Sequence, residues 1–216
     1  MFNVCSACGL YRADKIVEQS EQPGCADAIC PACGHRHRFR QLPLLVVTGA
    51  SGAGKSTLCQ QLASKIDCAV MLDVDILWRA EFDQPETAYR DFFETWLRLA
   101  KNIGQAGRPV VLVGAGVGVP ENLEACRERR YLGPIHYLAL VCTDAALAAR
   151  LRRRPAWRES GSDDYIEAQQ HFNRWFQTRA ATPAIDRLDT TALSVAASTA
   201  QVAAWIQSIA GTIQTS

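Results

Sequence analysis

The segment LLVVTGASGAGKSTL, residues 44–58, constrains the fold more than any other part of the chain. An aliphatic run leads into a turn with three glycines, and a lysine with two hydroxyl residues then opens a helical pattern. Residues 49–56 fit the pattern G-x-x-x-x-G-K-S/T, with the preceding strand and following helix that this pattern requires. The chain must therefore place a buried strand, a tight loop and a helix N-terminus in direct succession.

This loop has the composition of a polyphosphate site. Its glycines allow consecutive backbone N–H groups to point at an anion, and the helix N-terminus adds unpaired donors. We expect Lys55 to bridge the β- and γ-phosphates of ATP and Ser56 to supply a ligand to Mg²⁺. The predicted nucleotide-binding residues are Gly49, Ala50, Ser51, Gly52, Ala53, Gly54, Lys55, Ser56 and Thr57.

The chain around the loop alternates between strand and helix patterns. Runs of β-branched and aliphatic residues predict strands at 42–49, 68–75, 108–116, 135–142 and 184–191. Near-continuous apolar runs are typical of parallel strands buried on both faces. Helical patterns lie between them, and the first places Leu58, Leu62 and Ile66 on one helix face. The alternation predicts an α/β fold with a doubly wound, parallel five-stranded sheet.

Length and charge narrow the class of protein. A chain of 216 residues can form one core domain with a small appendage. Its formal net charge of +1 calls for neither a nucleic acid nor a membrane partner, and no apolar run approaches the roughly 20 residues that cross a bilayer. Charge and cysteine interrupt the first residues, MFNVCSACGLYRADK, so that they do not form an export signal. We expect a cytoplasmic protein.

Two cysteine knuckles precede the phosphate loop. Each is a C-x-x-C pair followed by glycine, and together they contain Cys5, Cys8, Cys30 and Cys33. Four thiolates at this spacing fit one tetrahedral, structural Zn²⁺, and a chain without an export signal favours metal ligands over disulfides. We therefore predict a zinc-ribbon-like module at 1–40 and a P-loop domain at 41–216.

An acidic pair ends the second strand of the predicted P-loop domain. Asp73 and Asp75 alternate there, so we expect both side chains on one face of the strand, overlooking the ligand crevice. One carboxylate could hold Mg²⁺ through water while the other orients or deprotonates an acceptor hydroxyl. We assign Asp75 to the hydroxyl and Asp73 to the magnesium shell and the acceptor side. The alternative is a strand-end turn without catalytic function.

These features resemble the P-loop small-molecule kinases, the superfamily of nucleoside, nucleotide, shikimate and gluconate kinases. The resemblance spans about residues 42–210 and rests on the phosphate loop, the D-x-D pair and ALAARLRRRPAWR, which is similar to the R-L-x-x-R segment before the mobile lid of these enzymes. The chain looks most like bacterial members called nucleoside or nucleotide kinases, or ATPases. The resemblance implies a sheet order of 2-3-1-4-5, ATP·Mg²⁺ as donor and a second substrate above the strand ends.

The resemblance also implies catalytic arginines. Arg150 and Arg154 occupy the matching positions, with Arg158 as a third candidate, and guanidinium groups there would bind the migrating phosphoryl group. The spacing of four between Arg150 and Arg154 places them on one helix face. The lid would cover residues 154–164.

An acceptor lobe is expected at about residues 76–107. Within it, we expect Trp78 to stack on a substrate ring and Arg79 to bind a substrate phosphate. The loop that contains Gly116 should also face the acceptor. The aromatic residues of the lobe have a second interpretation, which is a hydrophobic core.

The sequence thus predicts an ATP-dependent kinase that phosphorylates a hydroxyl of a small molecule, such as a nucleoside or nucleotide. A second hypothesis starts from the basic segment GHRHRFRQ at 34–41, which could grip a phosphate backbone. The chain would then be a nucleic-acid-linked ATPase or a polynucleotide 5′-hydroxyl kinase, which the near-neutral charge disfavours. A third hypothesis, a zinc-dependent nucleotide sensor, leaves the acidic pair without a task. The sequence makes no prediction of oligomeric state.

Overall fold

The N-terminal part of the chain folds into a small antiparallel sheet. The structure is a computed structural model and describes residues 3–180 and 183–211. β1 (Ile16–Gln19), β2 (Cys25–Ile29) and β3 (Arg36–Arg40) pair in this order. Alternation along the strands separates a charged outward face from an apolar inward face. We call this sheet, with the two cysteine knuckles beside it, the ribbon.

A parallel sheet of five strands forms the centre of the remaining chain. Its strands are β4 (Leu44–Thr48), β5 (Val70–Asp73), β6 (Val110–Val113), β7 (Ile135–Val141) and β8 (Ile185–Asp189). They lie in the order β5-β6-β4-β7-β8, and each neighbouring pair is parallel. Counted within this sheet the order is 2-3-1-4-5, so the predicted fold class is confirmed.

Helices cover both faces of this sheet. They are α1 (Lys55–Leu62), α2 (Arg90–Gly104), α3 (Pro120–Glu124), α4 (Asp144–Arg152), α5 (Asp163–Thr178) and α6 (Val195–Ala210). Within residues 3–180 and 183–211, none of the helices is long and apolar enough to cross a membrane.

The central strand β4 explains why the apolar pattern is nearly continuous. Leu44 and Val46 pack into the core on the side of α2 and α5. Leu45 and Val47 pack into the core that α1 and α6 cover on the other side. Because each side chain of β4 enters one of two cores, the strand contains no polar alternation until Thr48.

Two predictions of local structure are wrong. β5 ends at Asp73, and Asp75 lies in a 3-10 turn over Val74–Leu77, so the two carboxylates do not share a strand face. The Asp73 carboxylate accepts a hydrogen bond of 3.0 Å from the Asp75 N–H, and such local bonds compete with the strand ladder. Arg154 lies beyond the end of α4 because it precedes Pro155, and the residue before a proline disfavours helix.

The first helix is also shorter than its apolar pattern. α1 ends at Leu62, so Ile66 is not part of it. Ile66 is nevertheless buried in the same core cluster as Leu58 and Leu62, because a further turn places its N–H 3.1 Å from the Leu62 carbonyl oxygen. The predicted apolar face is therefore correct in its contacts and wrong in its helical extent.

The ribbon packs against the P-loop part of the chain through Tyr131. The ring is buried in a cluster with Ala26, Ala28 and Phe39 of the inward ribbon face. Its hydroxyl donates to the Ala13 carbonyl oxygen at 2.7 Å and accepts from the Lys15 N–H at 3.0 Å. The predicted boundary at residue 40 stays a prediction, because the two parts share this buried cluster.

We expect Tyr131→Phe to lower the free energy of unfolding by about 1–3 kcal/mol, because it leaves the Lys15 N–H and the Ala13 carbonyl without their partner. Tyr137→Phe is the matched control, since the equally buried Tyr137 hydroxyl has no hydrogen-bond partner among the described residues. Chemical denaturation of both variants measures the difference. Equal stability losses would contradict the role assigned to the Tyr131 hydroxyl.

Candidate active site and metal centre

The phosphate loop connects β4 to α1 and is fixed in shape by glycine. Gly49, Gly52 and Gly54 have φ angles of 140°, 88° and 108°, which side-chain-bearing residues rarely adopt. A Cβ atom added to Gly49 would lie 2.4 Å from the Leu140 carbonyl oxygen of β7. The loop can therefore follow this path only with glycine at its first position.

Lys55 begins α1 and folds back over its own loop. Its ammonium group donates to the carbonyl oxygens of Gly49 at 2.7 Å and Ala50 at 3.0 Å. Desolvation lowers the pKa of Lys55 to about 8, with the charge of Arg154 acting in the same direction and the charges of Asp75 and Asp73 opposing it. The lysine is thus a desolvated cation that lies within the electrostatic field of both acidic residues.

A cavity of about 300 Å³ opens beside the loop. Loop residues 52–54 and the start of α1, which includes Lys55, Ser56 and Thr57, form one wall. Arg150, Arg154 and Thr190 form another, and Leu193 and Val195 add apolar surface. The predicted residues 52–57, Arg150 and Arg154 therefore line one cavity, which has a cationic part and an apolar part. Gly49, Ala50, Ser51 and Asp73 are not part of its lining.

Each of the two arginines at this cavity is positioned by a hydroxyl group. Arg150 donates to the hydroxyl of Thr190 at 3.0 Å and to its carbonyl oxygen at 2.6 Å. Arg154 donates to the Ser51 hydroxyl of the phosphate loop at 3.1 Å. Although the two arginines do not share a helix face, these contacts bring both to the same cavity.

Gln169 of α5 is a loop contact that the sequence did not indicate. Its side-chain oxygen accepts a hydrogen bond of 2.8 Å from the Ser51 N–H. In the sequence Gln169 is one polar residue in an amphipathic helix, so no pattern distinguishes it from its solvated neighbours. The contact joins the helix after the lid to the phosphate loop.

The acidic pair lies close to the donor site. Desolvation and the charge of Asp73 raise the pKa of Asp75, while the charges of Lys55 and Arg158 oppose that rise. Asp75 is exposed and can therefore be reached by a ligand. The Asp75 carboxylate thus interacts electrostatically with the lysine of the loop and with an arginine of the predicted lid.

The contacts of the predicted acceptor residues Trp78, Arg79 and Gly116 do not show their function. The Trp78 side chain is 47% exposed, and its ring centroid is 5.3 Å from that of Phe92. Arg79 lies over the Phe82 ring, with 5.0 Å from its Cζ atom to the ring centroid. Gly116 lies in a 3-10 turn, and its carbonyl oxygen accepts from the Asn122 amide at 2.8 Å. Their substrate roles stay predictions.

The predicted lid contains one more exposed aromatic residue. Trp157 is 73% exposed in a 3-10 turn over Ala156–Arg158, and Arg158 lies 4.7 Å from its ring centroid. The predicted helix after the lid is confirmed as α5. The Ser162 hydroxyl caps this helix by accepting a hydrogen bond from the Tyr165 N–H. Trp157 was missed because a single tryptophan in a polar loop has no periodic pattern.

The four knuckle cysteines converge at one point. Their sulfur atoms lie within 4.8 Å of one another. Sulfur ligands about 2.3 Å from a tetrahedral Zn²⁺ are about 3.8 Å apart, and the Cys5–Cys33 and Cys8–Cys30 sulfur pairs are 3.7 and 3.6 Å apart. Gly9 and Gly34, with φ angles of 75° and 71°, close the knuckles by donating to the Cys5 and Cys30 carbonyls at 2.9 Å. This donor set fits a structural zinc ion.

Two of the three arginines after the second knuckle form ion pairs with carboxylates. Arg36 and Arg38 both donate to the buried carboxylate of Asp27, and Arg36 also donates to Glu18 at 2.7 Å. Because these acids lie on the same outward face of the ribbon, they offset much of the positive charge that the sequence suggested.

Comparison with known proteins agrees with this geometry. A model of the AAA domain matches residues 44–179, from β4 to the residue after α5. The chain belongs to the AAA domain family. No curated protein matches it significantly.

Several solved structures resemble this chain at low sequence identity. A gluconokinase from Sinorhizobium meliloti 1021 is 19% identical with a TM-score of 0.52, over 80% of this chain and 95% of that one. A proposed kinase from Chloroflexus aurantiacus is 20% identical with a TM-score of 0.54, over 78% and 98%. The tunicamycin resistance protein of Deinococcus radiodurans is 17% identical with a TM-score of 0.50, over 78% and 95%. These likenesses show that the chain shares the fold of these proteins, which include kinases.

We expect the purified chain to contain about one zinc ion per molecule, since four thiolates complete a structural site. The double variant Cys30→Ser/Cys33→Ser should lose it, as elemental analysis would show. Cys25→Ser is the matched control, because Cys25 belongs to the same ribbon and lies outside the cluster. Undiminished zinc in the double variant would rule out this ligand set.

We expect ATP affinity to fall about tenfold between pH 7 and pH 9, because the ammonium group loses its proton as the pH passes its pKa of about 8. Binding of a fluorescent ATP analogue measures the profile. Lys55→Arg should flatten it over the same range, since the guanidinium group stays charged. A flat wild-type profile would contradict a role for the Lys55 charge.

Proposed function

We propose that the protein is an ATP-dependent phosphotransferase that moves the γ-phosphoryl group of ATP to a hydroxyl of a small molecule. One observation supports this most directly: Lys55, Ser56, Arg150 and Arg154 meet at one cavity, and Asp75 lies within the electrostatic field of Lys55. A carboxylate beside the phosphate site can accept a proton from an acceptor hydroxyl or from water, so dependence of turnover on an acceptor is what distinguishes a kinase from a hydrolase. The kinase-like fold agrees with this assignment.

The donor side of the proposed reaction uses the loop and the two arginines. ATP would extend along the cavity, with its base toward Leu193 and Val195 and its phosphates toward the N–H groups of the loop. Lys55 would exchange its two carbonyl contacts for phosphate oxygens. Ser56 and Asp73 would hold Mg²⁺, which neutralises charge on the transferring group when bound.

The acceptor side uses Asp75. Its carboxylate would accept the hydroxyl proton as the acceptor oxygen forms a bond to the γ-phosphorus, while the bond from that phosphorus to the β-phosphate oxygen breaks and ADP leaves. Arg150 and Arg154 would stabilise the charge on the migrating group. Exposure of Asp75 at the edge of the cleft agrees with this role.

We further propose an acceptor with a planar ring, such as a nucleoside or nucleotide. Trp78 follows Asp75 by three residues and exposes its indole, and Arg79 adds a cation beside it. Phe82, Phe92, Phe93 and Trp96 are instead buried core residues of the lobe. A cytoplasmic location is also proposed, because a four-thiolate site requires reduced cysteines.

The nucleic-acid alternative is less well supported. It depended on a basic ribbon face, and the pairing of Arg36 and Arg38 with Asp27 and Glu18 removes much of that face's free charge. A polynucleotide end would still be chemically suited to Asp75, so 5′-hydroxyl oligonucleotides belong in the substrate test.

The test is a coupled ADP-release screen over nucleosides, nucleotides, sugars, polyols and 5′-hydroxyl oligonucleotides. We expect one class of small molecule to raise ADP release well above the rate without acceptor. Lys55→Ala should abolish that increase while the protein remains folded, because its charge serves the phosphates. Near-wild-type release by Lys55→Ala would refute the assignment of the loop, and acceptor-independent release alone would favour an ATPase.

The acidic pair provides a separate prediction. Asp75→Asn retains the side-chain shape and removes the base, so we expect single-turnover transfer to slow by roughly 10²-fold or more, with a small change in ATP affinity. Asp73→Asn serves as the comparison and should instead raise the magnesium requirement. Small and equal effects of both substitutions on both quantities would assign the pair to a strand-end turn.

A further inference from the structure

A buried ionic network joins the ribbon to α2, the long helix of the acceptor lobe. The Lys101 ammonium group donates to the Asn3 side-chain oxygen at 2.6 Å and to the Glu128 carboxylate. Arg98 donates to the second oxygen of that carboxylate at 3.0 Å. Asn3, Lys101 and Glu128 are all buried. Because a buried charge is costly without its partners, this network strongly favours one placement of the ribbon on α2.

The ribbon's member of the network depends on the first zinc knuckle. Asn3 lies two residues before Cys5, in a short hairpin closed by a bridge between Val4 and Tyr11. The Arg12 N–H donates to the Asn3 carbonyl at 2.8 Å, and the Cys5 N–H donates to the Leu10 carbonyl at 2.9 Å. The sulfur atom of Cys5 would anchor this hairpin to the metal, so the metal would fix the position of the Asn3 side chain.

The opposite half of α2 supports the proposed acceptor side. The Phe92 ring packs against the exposed ring of Trp78. Phe93 lies against Gly116, and a Cβ atom added to Gly116 would be 3.4 Å from the Phe93 ring. α2 contains 15 residues and spans about 22 Å as one rigid element. A shift at Lys101 would therefore be transmitted to the surface beneath Trp78 and Gly116.

The donor site is built from other elements. Its cavity is lined by the phosphate loop, α1, the end of α4 and the segment from β8 to α6. The contacts that couple the ribbon to the network end at α2 and at the turn over Arg127–Tyr131. The ribbon's hydrogen bonds named here therefore reach the acceptor side, whereas its link to the donor side is the chain itself, which passes from β3 through residues 41–43 into β4.

We propose that the zinc-loaded ribbon is an internal brace that positions α2, and through it the acceptor side, with Asn3 and Lys101 as positioning residues. The link from α2 to an acceptor rests on the proposed function, whereas the coupling of the metal to α2 does not. The proposal gives the ribbon a mechanical role inside the chain in place of a nucleic-acid-binding role.

Hydrogen exchange of the full-length chain, with and without zinc, tests the brace. Removal of zinc with a chelator should reduce the protection of α2 and of residues 74–89 by about tenfold or more, as expected for local opening. Protection of α1 and α6 should change less than twofold, and so should affinity for a fluorescent ATP analogue. Uniform loss of protection, or an unchanged α2, would overturn the proposal.

Asn3→Ala separates the network from the metal. This variant should keep its zinc, as measured by elemental analysis, and still lose protection in α2 with unchanged ATP affinity. Ser6→Ala is the matched control, because Ser6 belongs to the same hairpin and contacts only the exposed His35 ring at 3.2 Å among its described hydrogen bonds. Equal protection of α2 in the two variants would refute the positioning role of Asn3.

These readouts need no turnover, so they separate the two proposals. Loss of α2 protection in a chain that phosphorylates no acceptor would support the brace and refute the kinase. If the ADP-release screen identifies an acceptor, Asn3→Ala should raise the KM for that acceptor severalfold and leave the KM for ATP unchanged. Equal changes in both KM values would overturn the brace.

Discussion

The passage of the chain from β4 into the phosphate loop is the constraint on which the remaining structure depends. Gly49 lies so close to the Leu140 carbonyl that β4 and β7 must be neighbours for the loop to form. β4 is consequently the central strand, buried on both faces, and the helices on each side complete the two cores. Groups from separate elements act on the loop: Arg154, just after α4, donates to Ser51, and the charges of Asp73 and Asp75 oppose the lowering of the Lys55 pKa.

The sequence predicts the parts of this arrangement that depend on short-range patterns. The five parallel strands follow from continuous apolar runs, and the metal cluster follows from two knuckles of fixed spacing. The prediction that Asp75 continues the strand was wrong because the Asp73 side chain accepts a hydrogen bond from the Asp75 N–H. Strand propensity does not reveal such a local hydrogen bond. Gln169 and Lys101 could not be predicted, since each acquires its role from a residue about a hundred positions away in the chain.

The two metal-related parts of the molecule follow different physical rules. In the ribbon, a closed set of thiolates would hold an ion for structural purposes, and the energy of that site is available to order the hairpin that contains Asn3. In the cleft, Ser56 and Asp73 offer oxygen atoms, which suit an ion that arrives with its nucleotide. With a permanent ion in the ribbon and an exchanging ion in the cleft, the proposed enzyme would keep its shape while nucleotide and magnesium come and go.

The inward-folded position of Lys55 has a consequence for ligand discrimination. Its ammonium group uses two of its three N–H donors on carbonyl oxygens of the loop, so the lysine holds its own loop closed. An anion at the loop competes with these two carbonyl oxygens for the lysine. A polyphosphate is suited to this competition because its several oxygen atoms can also meet the loop N–H groups and the arginines, so the number of groups that a ligand engages at once sets how firmly the loop holds it.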